Sequence, residues 1–278
     1  FWLWYEKAGT PELTFEGRYN ESEKTYSVKL KQYIPDTPGQ KNKKPMHIPV
    51  RIGLIGENGN DIEERVLDLT QSEQIFTFEN IASKPVPSVL RHFSAPVRLK
   101  TDLTDEDWRF LMIHDKDGFN QWEASQNLAL NAINHLLDTG KEPDKTFFEA
   151  YGELIERAMK GNSDKALLAR ALTLPDVMSV GQERDEIDPG AIYEARKKIL
   201  ERIGNKYVDR IERLYELNQN IGPYTKTSDA ISQRALKNAA LHLLSYHQEQ
   251  SAVKIARLQY NMADNMTDRV AALSLLTH

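Results

Sequence analysis

The residues best suited to metal or proton chemistry are seven histidines: His47, His92, His114, His135, His242, His247 and His278. Two imidazoles one helical turn apart, with a glutamate between them, would make a zinc site. No pair in this chain has that H-E-x-x-H spacing. His242 and His247 are five residues apart, which puts them on different faces of a helix. His242 falls among apolar positions, so the pattern predicts a packed or hydrogen-bonded core histidine. The acidic run Asp102, Asp105, Glu106 and Asp107 could suggest calcium. An EF-hand needs glycine at its sixth position and glutamate at its twelfth, and those positions hold Asp107 and Ile113. Acids favouring a helix N-terminus account for this run, and equally for Asp185, Glu186 and Asp188. Neither a G-x-S-x-G elbow, a G-x-G-x-x-G loop nor a Walker loop is present. Cysteine is absent, which removes disulfides, thiolate metal sites and cysteine nucleophiles together. The chain thus offers no catalytic, cofactor-binding or metal-ligating residue of its own.

Weaker signals have structural explanations. Lys41, Asn42, Lys43 and Lys44 lack interleaved aromatics and predict a solvated loop. Asn20-Glu21-Ser22 and Asn265-Met266-Thr267 fit the glycosylation pattern by chance, with no secretory signal beside them. Phe1, Trp2, Trp4 and Tyr5 read as the stump of a helix that packs on an upstream domain, or as a partner patch. Both predict exposed apolar surface. The first residue is not methionine, which suggests a chain cut from a longer one.

The elements that must position these residues fall into two halves. Residues 1–100 hold 8 of the 12 prolines and 3 alanines, whereas residues 101–278 hold 19 alanines. Proline punctuates strands and turns, and alanine favours helix, so a boundary is expected near residue 100. In the first half Tyr26, Val28 and Leu30 alternate with polar residues, as do Ile48, Val50, Ile52 and Leu54. Asn58-Gly59 marks a tight turn. Phe76 and Phe78, then Val97 and Leu99, mark further strands, and Pro35 to Pro45 is a loop. Six or seven short antiparallel strands predict a β-sandwich. The second half predicts seven or eight helices. Thr104 with Asp107 resembles a capping box, and Asp144, Ser163, Asp188 before Pro189, and Ser228 mark other helix starts. One stripe holds Ile192, Ile199, Ile203, Ile211 and Leu214, and another holds Ile231, Ala235, Ala239 and Leu243. A net charge of −5 argues against a nucleic-acid binder, and no apolar run is long enough to span a bilayer.

Several strings go further. Trp4-Tyr5-Glu6-Lys7-Ala8-Gly9-Thr10-Pro11, Tyr33-Ile34-Pro35-Asp36-Thr37-Pro38-Gly39-Gln40 and Lys44-Pro45-Met46-His47-Ile48-Pro49-Val50 resemble segments of the bacterial aminopeptidase N family of zinc-dependent gluzincins. So do Pro85-Val86-Pro87-Ser88-Val89-Leu90-Arg91-His92-Phe93-Ser94-Ala95-Pro96-Val97, Leu172-Thr173-Leu174-Pro175, Ile187-Asp188-Pro189 and Asn265-Met266-Thr267-Asp268-Arg269-Val270-Ala271-Ala272-Leu273-Ser274. The resemblance covers essentially the whole chain, in order. It implies that residues 1–10 close a catalytic domain, residues 11–100 form an Ig-like antiparallel β-sandwich, and residues 101–278 begin an α-helical, solenoid-like domain. It also implies a cytoplasmic parent that removes N-terminal residues from peptides, with zinc as its cofactor. The zinc motif and exopeptidase glutamates would lie upstream of Phe1, and Thr277-His278 would be a truncation inside the helical domain. No site residue carries over, and this stretch would bind no cofactor. The implied partners are the upstream catalytic domain of the same chain and peptide substrates, without nucleic acid or membrane. Self-association through surfaces exposed by truncation is also expected. A stand-alone β-sandwich and helical interaction scaffold is the alternative from another class.

Overall fold

The period-2 runs form strands, and the alanine-rich half forms helices. The structure, a computed structural model, describes residues 2–161, 164–220, 222–247 and 251–277. A short helix α1 (Leu3–Glu6) precedes seven strands: β1 (Glu12–Asn20), β2 (Thr25–Tyr33), β3 (Ile48–Ile55), β4 (Asp61–Leu69), β5 (Glu73–Phe78), β6 (Val86–Val89) and β7 (Arg98–Thr101). They make two sheets, ordered β5-β2-β1-β7 and β4-β3-β6. Leu13, Phe15, Val28 and Leu30 from the first sheet share one buried core with Ile48, Val50, Ile52 and Leu69 from the second. This is an Ig-like β-sandwich. The Asn58-Gly59 turn forms as expected, with Gly59 at φ +76° and its N–H donating to Gly56 O.

One pairing departs from the antiparallel expectation. β7 runs parallel to β1, with Glu12 opposite Arg98 and Phe15 opposite Thr101. The chain leaves β6 in the second sheet and rejoins the first beside β1. Alternation along four residues carries no sign of strand direction. Gln32 takes the next inward position after Tyr26, Val28 and Leu30. It stays satisfied there because its amide donates to Met46 O and Gln71 O and accepts from Met46 N–H.

The helices are α2 (Asp105–His114), α3 (Gly118–Thr139), α4 (Lys145–Lys160), α5 (Lys165–Ala171), α6 (Val177–Gln182), α7 (Pro189–Lys206), α8 (Val208–Leu217), α9 (Ser228–Leu244), α10 (Ser251–Met262) and α11 (Met266–Leu276). These are ten among the described residues, more than expected: the stripe from Ile192 to Leu214 breaks at Tyr207 into α7 and α8, and the short α6 is not among the expected helices. The Thr104–Asp107 capping box is reciprocal, and Asp144 and Asp188 cap as predicted. Ser163 lies outside the described residues; Asp164 caps α5. Ser228 starts α9 as expected, with Thr227 as its cap. The buried face of α9 is also rotated from the expected stripe. Ile231 is 52% exposed, while Leu236, Ala240 and Leu243 are buried together with Arg234 and Lys237. This helix packs against α5, α8 and α11 rather than against one surface, so a single stripe does not describe it. The chain divides into two compact units, residues 1–121 and 122–278.

Candidate functional site

The histidines are dispersed and separately occupied. His47 Nε2 lies 2.7 Å from Asp68 Oδ1, His92 Nδ1 3.0 Å from Asp117 Oδ2, and His247 Nδ1 2.8 Å from Asn205 Oδ1. His135 meets Thr139, and His114 stacks near Phe110. His278 lies outside the described residues. His242 is not a core residue: it is exposed and meets the Tyr246 ring edge-on at 5.3 Å, because α9 turns Leu241, Leu243 and Leu244 inward. Among the described residues no three His, Cys, Asp or Glu side chains are placed to hold a metal ion. The zinc implied by the resemblance therefore finds no donor set among them.

The basic loop is not merely solvated. Lys43 Nζ donates to Ala8 O, Pro35 O and Thr37 Oγ1 at 2.6–2.8 Å. Gln40 adds two hydrogen bonds to the same stretch, accepting from Ala8 N–H and donating to Glu6 O. The proline-rich loop thereby fastens the segment after α1. There Trp4 donates to His47 O, while Trp2 and Tyr5 stay exposed. The two glycosylation-like asparagines serve the backbone: Asn20 accepts from Ser22 and Glu23 N–H, and Asn265 caps α11.

Two polar constellations were not legible as candidates. The first surrounds Arg91, whose side chain is 2% exposed inside the sandwich unit. Its Nε donates to Ser88 Oγ at 2.9 Å and Nη1 to Glu64 Oε2 at 2.8 Å. Nη2 donates to both Asp61 Oδ1 at 2.7 Å and Asp115 Oδ1 at 3.0 Å. Asn120 donates to the same Ser88 hydroxyl and to Val89 O. The guanidinium lies on the backbone of Gly53, where a Cβ would sit 2.2 Å from Cζ, so only glycine fits. Arg91 is flanked by left-handed backbone at Leu90, His92 and Phe93, and each such residue costs about 1–2 kcal/mol. Burial alone would lower the Arg91 pKa, but Asp61, Glu64 and Asp115 raise it overall. A hydrogen bond from Arg91 holds the Glu64 carboxyl below its usual range. Arg91 and Lys116 do the same for Asp61 against its partial burial. Burial pushes Asp115 up despite the hydrogen bonds it accepts and the nearby guanidinium.

The second constellation lies in the helical unit. Lys237 Nζ on α9 lies 2.6 Å from Asp268 Oδ2 on α11, each side chain 5% exposed. Asn238 donates to Asp268 Oδ1, and Gln259 on α10 donates to Asn238 Oδ1 and Asp268 O. Tyr215 on α8 donates to Gln259 Oε1. This network joins four helices and borders an open cavity of about 900 Å³. The arrangement can hold helices together and present charge to a ligand, but it contains no nucleophile paired with a base.

A sandwich followed by stacked helices, with buried polar nodes and no described metal cluster, defines an Ig-like domain joined to an armadillo-type helical domain. Residues 9–102 match the family described as a domain of unknown function with an Ig-like fold (DUF3458), and residues 105–278 match the one described as a domain of unknown function with ARM repeats (DUF3458_C). The chain belongs to this DUF3458 family, and over its whole length it is homologous to aminopeptidase N. It is 33% identical to aminopeptidase N of Escherichia coli over 99% of its length, covering 32% of that protein. The Haemophilus influenzae aminopeptidase N is 30% identical over 100% of the chain, with 33% of that relative covered. The Caulobacter vibrioides aminopeptidase N is 35% identical over 98% of the chain, with 32% covered. Among solved structures, a Legionella pneumophila aminopeptidase A in complex with aspartic acid superposes with a TM-score of 0.86 at 28% identity. The match covers 99% of this chain and 32% of that one. The chain spans about a third of the length of the curated relatives it matches.

Proposed function

We propose that this chain is the non-catalytic portion of a cytoplasmic zinc aminopeptidase that removes N-terminal amino acids from peptides. Its role is to join the catalytic domain of the same chain and cap the active site, limiting access to short peptides by shape. The observation that carries the proposal is similarity along its whole length to one third of several aminopeptidases N. Zinc, when bound in the parent, would polarise the scissile carbonyl and lower the pKa of its water, using residues outside this chain. The purified chain with added zinc is expected to leave an aminoacyl-anilide unhydrolysed, and chelator-sensitive turnover would refute this. In the gene, an H-E-x-x-H in frame upstream of the Phe1 codon is expected. A start codon close to Phe1 would instead favour the interaction scaffold.

Self-association belongs to the same proposal. α11 exposes Met266, Val270 and Leu273 at i, i+4 and i+7. A stacked repeat cannot bury its apolar face alone, so a second copy is the expected occupant of this stripe. Sedimentation velocity is expected to detect a dimer that V270E disperses. A monomer at every concentration would contradict it.

A further inference from the structure

The cavity bordered by the Lys237 network carries groups that holding helices together does not require. Arg234 lines it from α9 and is 4% exposed. Among the described residues its guanidinium makes one hydrogen bond, from Nη2 to Thr225 O at 3.1 Å, and lies against the Tyr224 ring with Cζ 4.8 Å from the centroid. A guanidinium has five N–H donors in a planar fork, and no Arg234 nitrogen is sealed from solvent without a partner, so the donors that Thr225 leaves over are open to a ligand. Such a fork matches a carboxylate, and stacking on an aromatic ring fixes its plane.

The same cavity is lined by two exposed carboxylates, Asp229 and Asp264. Asp264 is held below the usual carboxylate range, first by a hydrogen bond from Asn265 and more weakly by the Arg234 charge. Asp229 lies five residues before Arg234 on α9, and both residues line the cavity. α10 supplies an apolar wall through Leu258 and Met262, 61% and 74% exposed. Two acids at the cavity repel a dianion such as phosphate and attract an ammonium group.

We propose that this cavity binds a small zwitterion of dipeptide size. Its carboxylate sits on Arg234, its ammonium group on Asp229 and Asp264, and an apolar side chain lies against Leu258 and Met262. The assignment is independent of the aminopeptidase proposal, because the helical unit alone supplies every group. Isothermal titration of the full chain with L-alanyl-L-leucine tests it. Saturable binding is expected, weakened at least about tenfold when the dipeptide is N-acetylated or carried as its C-terminal amide, and absent for inorganic phosphate. D264N, at an exposed position, is expected to weaken the free dipeptide about tenfold and leave the N-acetyl dipeptide unchanged. R234Q is expected to abolish binding. If R234Q fails to fold, the D264N selectivity and the two analogues decide. Lack of saturable binding up to about 10 mM dipeptide would overturn the proposal, as would equal binding of all three forms or preference for phosphate.

Discussion

Replacing Arg91 by methionine is expected to destabilise the sandwich unit by about 3–5 kcal/mol, the usual cost of leaving one member of a buried ion pair behind. The larger part of the cost falls on Asp115 and Ser88, both buried at the Arg91 head group; Asp61 and Glu64, whose side chains are 27% and 36% exposed, can rehydrate and lose less. Methionine would fill much of the volume over Gly53 without a clash, so the loss reports on charge and hydrogen bonding rather than on a cavity. It also removes what holds Leu90, His92 and Phe93 in left-handed backbone, so that segment should exchange its amides faster. Urea unfolding with hydrogen exchange on β3 and β6 measures both effects. R91M/D115N is expected to recover much of the loss, because Asp115 no longer leaves a buried charge where the guanidinium was. A single-variant loss under about 1 kcal/mol would mean that the node is solvated in solution. The pH dependence has a definite sign. Asp61 and Glu64 have folded pKa values depressed by Arg91, so their stabilisation is present above the ordinary carboxylate range and disappears as pH falls through the folded values. The gap between wild type and R91M should therefore narrow below about pH 4.

The two nodes mark where the sequence stopped being informative. Strands, caps and the Asn58-Gly59 turn follow rules that act within a few residues, and so the alternation around Val28 and the Thr104–Asp107 box could be read directly. The Arg91 node draws on Gly53, Asp61, Glu64, Ser88, Asp115 and Asn120, each of which alone resembles a turn or surface residue. Its one local trace is in β3. Residues 52 to 55 are all buried there, and at Gly53 it is the guanidinium that covers the face that should meet water. The parallel β7 pairing and the rotation of α9 are likewise set by distant partners. Resemblance reached further than periodicity. The string Leu90-Arg91-His92-Phe93 contains the first node, and Asn265-Met266-Thr267-Asp268 contains the anionic end of the second.

The second large effect is expected from Lys237. K237M leaves Asp268 buried among helices with only amide donors, from Asn238 and Asn265, against its charge. That should cost about 3–5 kcal/mol, confined to the helical unit. The chain divides into two units, so two unfolding transitions are expected, and K237M should move one and R91M the other. D268N is expected to cost less than K237M. Its amide keeps the shape and can still accept from Asn238. K237M/D268N should then recover most of the loss, since a methionine beside a neutral amide strands no charge. Hydrogen exchange places the effect. Asp268 N–H donates to the Asn265 cap, and Asp268 O accepts from Gln259, so α11 should lose protection first and α10 next. Uniform loss of protection across both units would contradict the assignment of Lys237–Asp268 as a local fastening of α11. A coupling energy near zero between the two substitutions would contradict it as well.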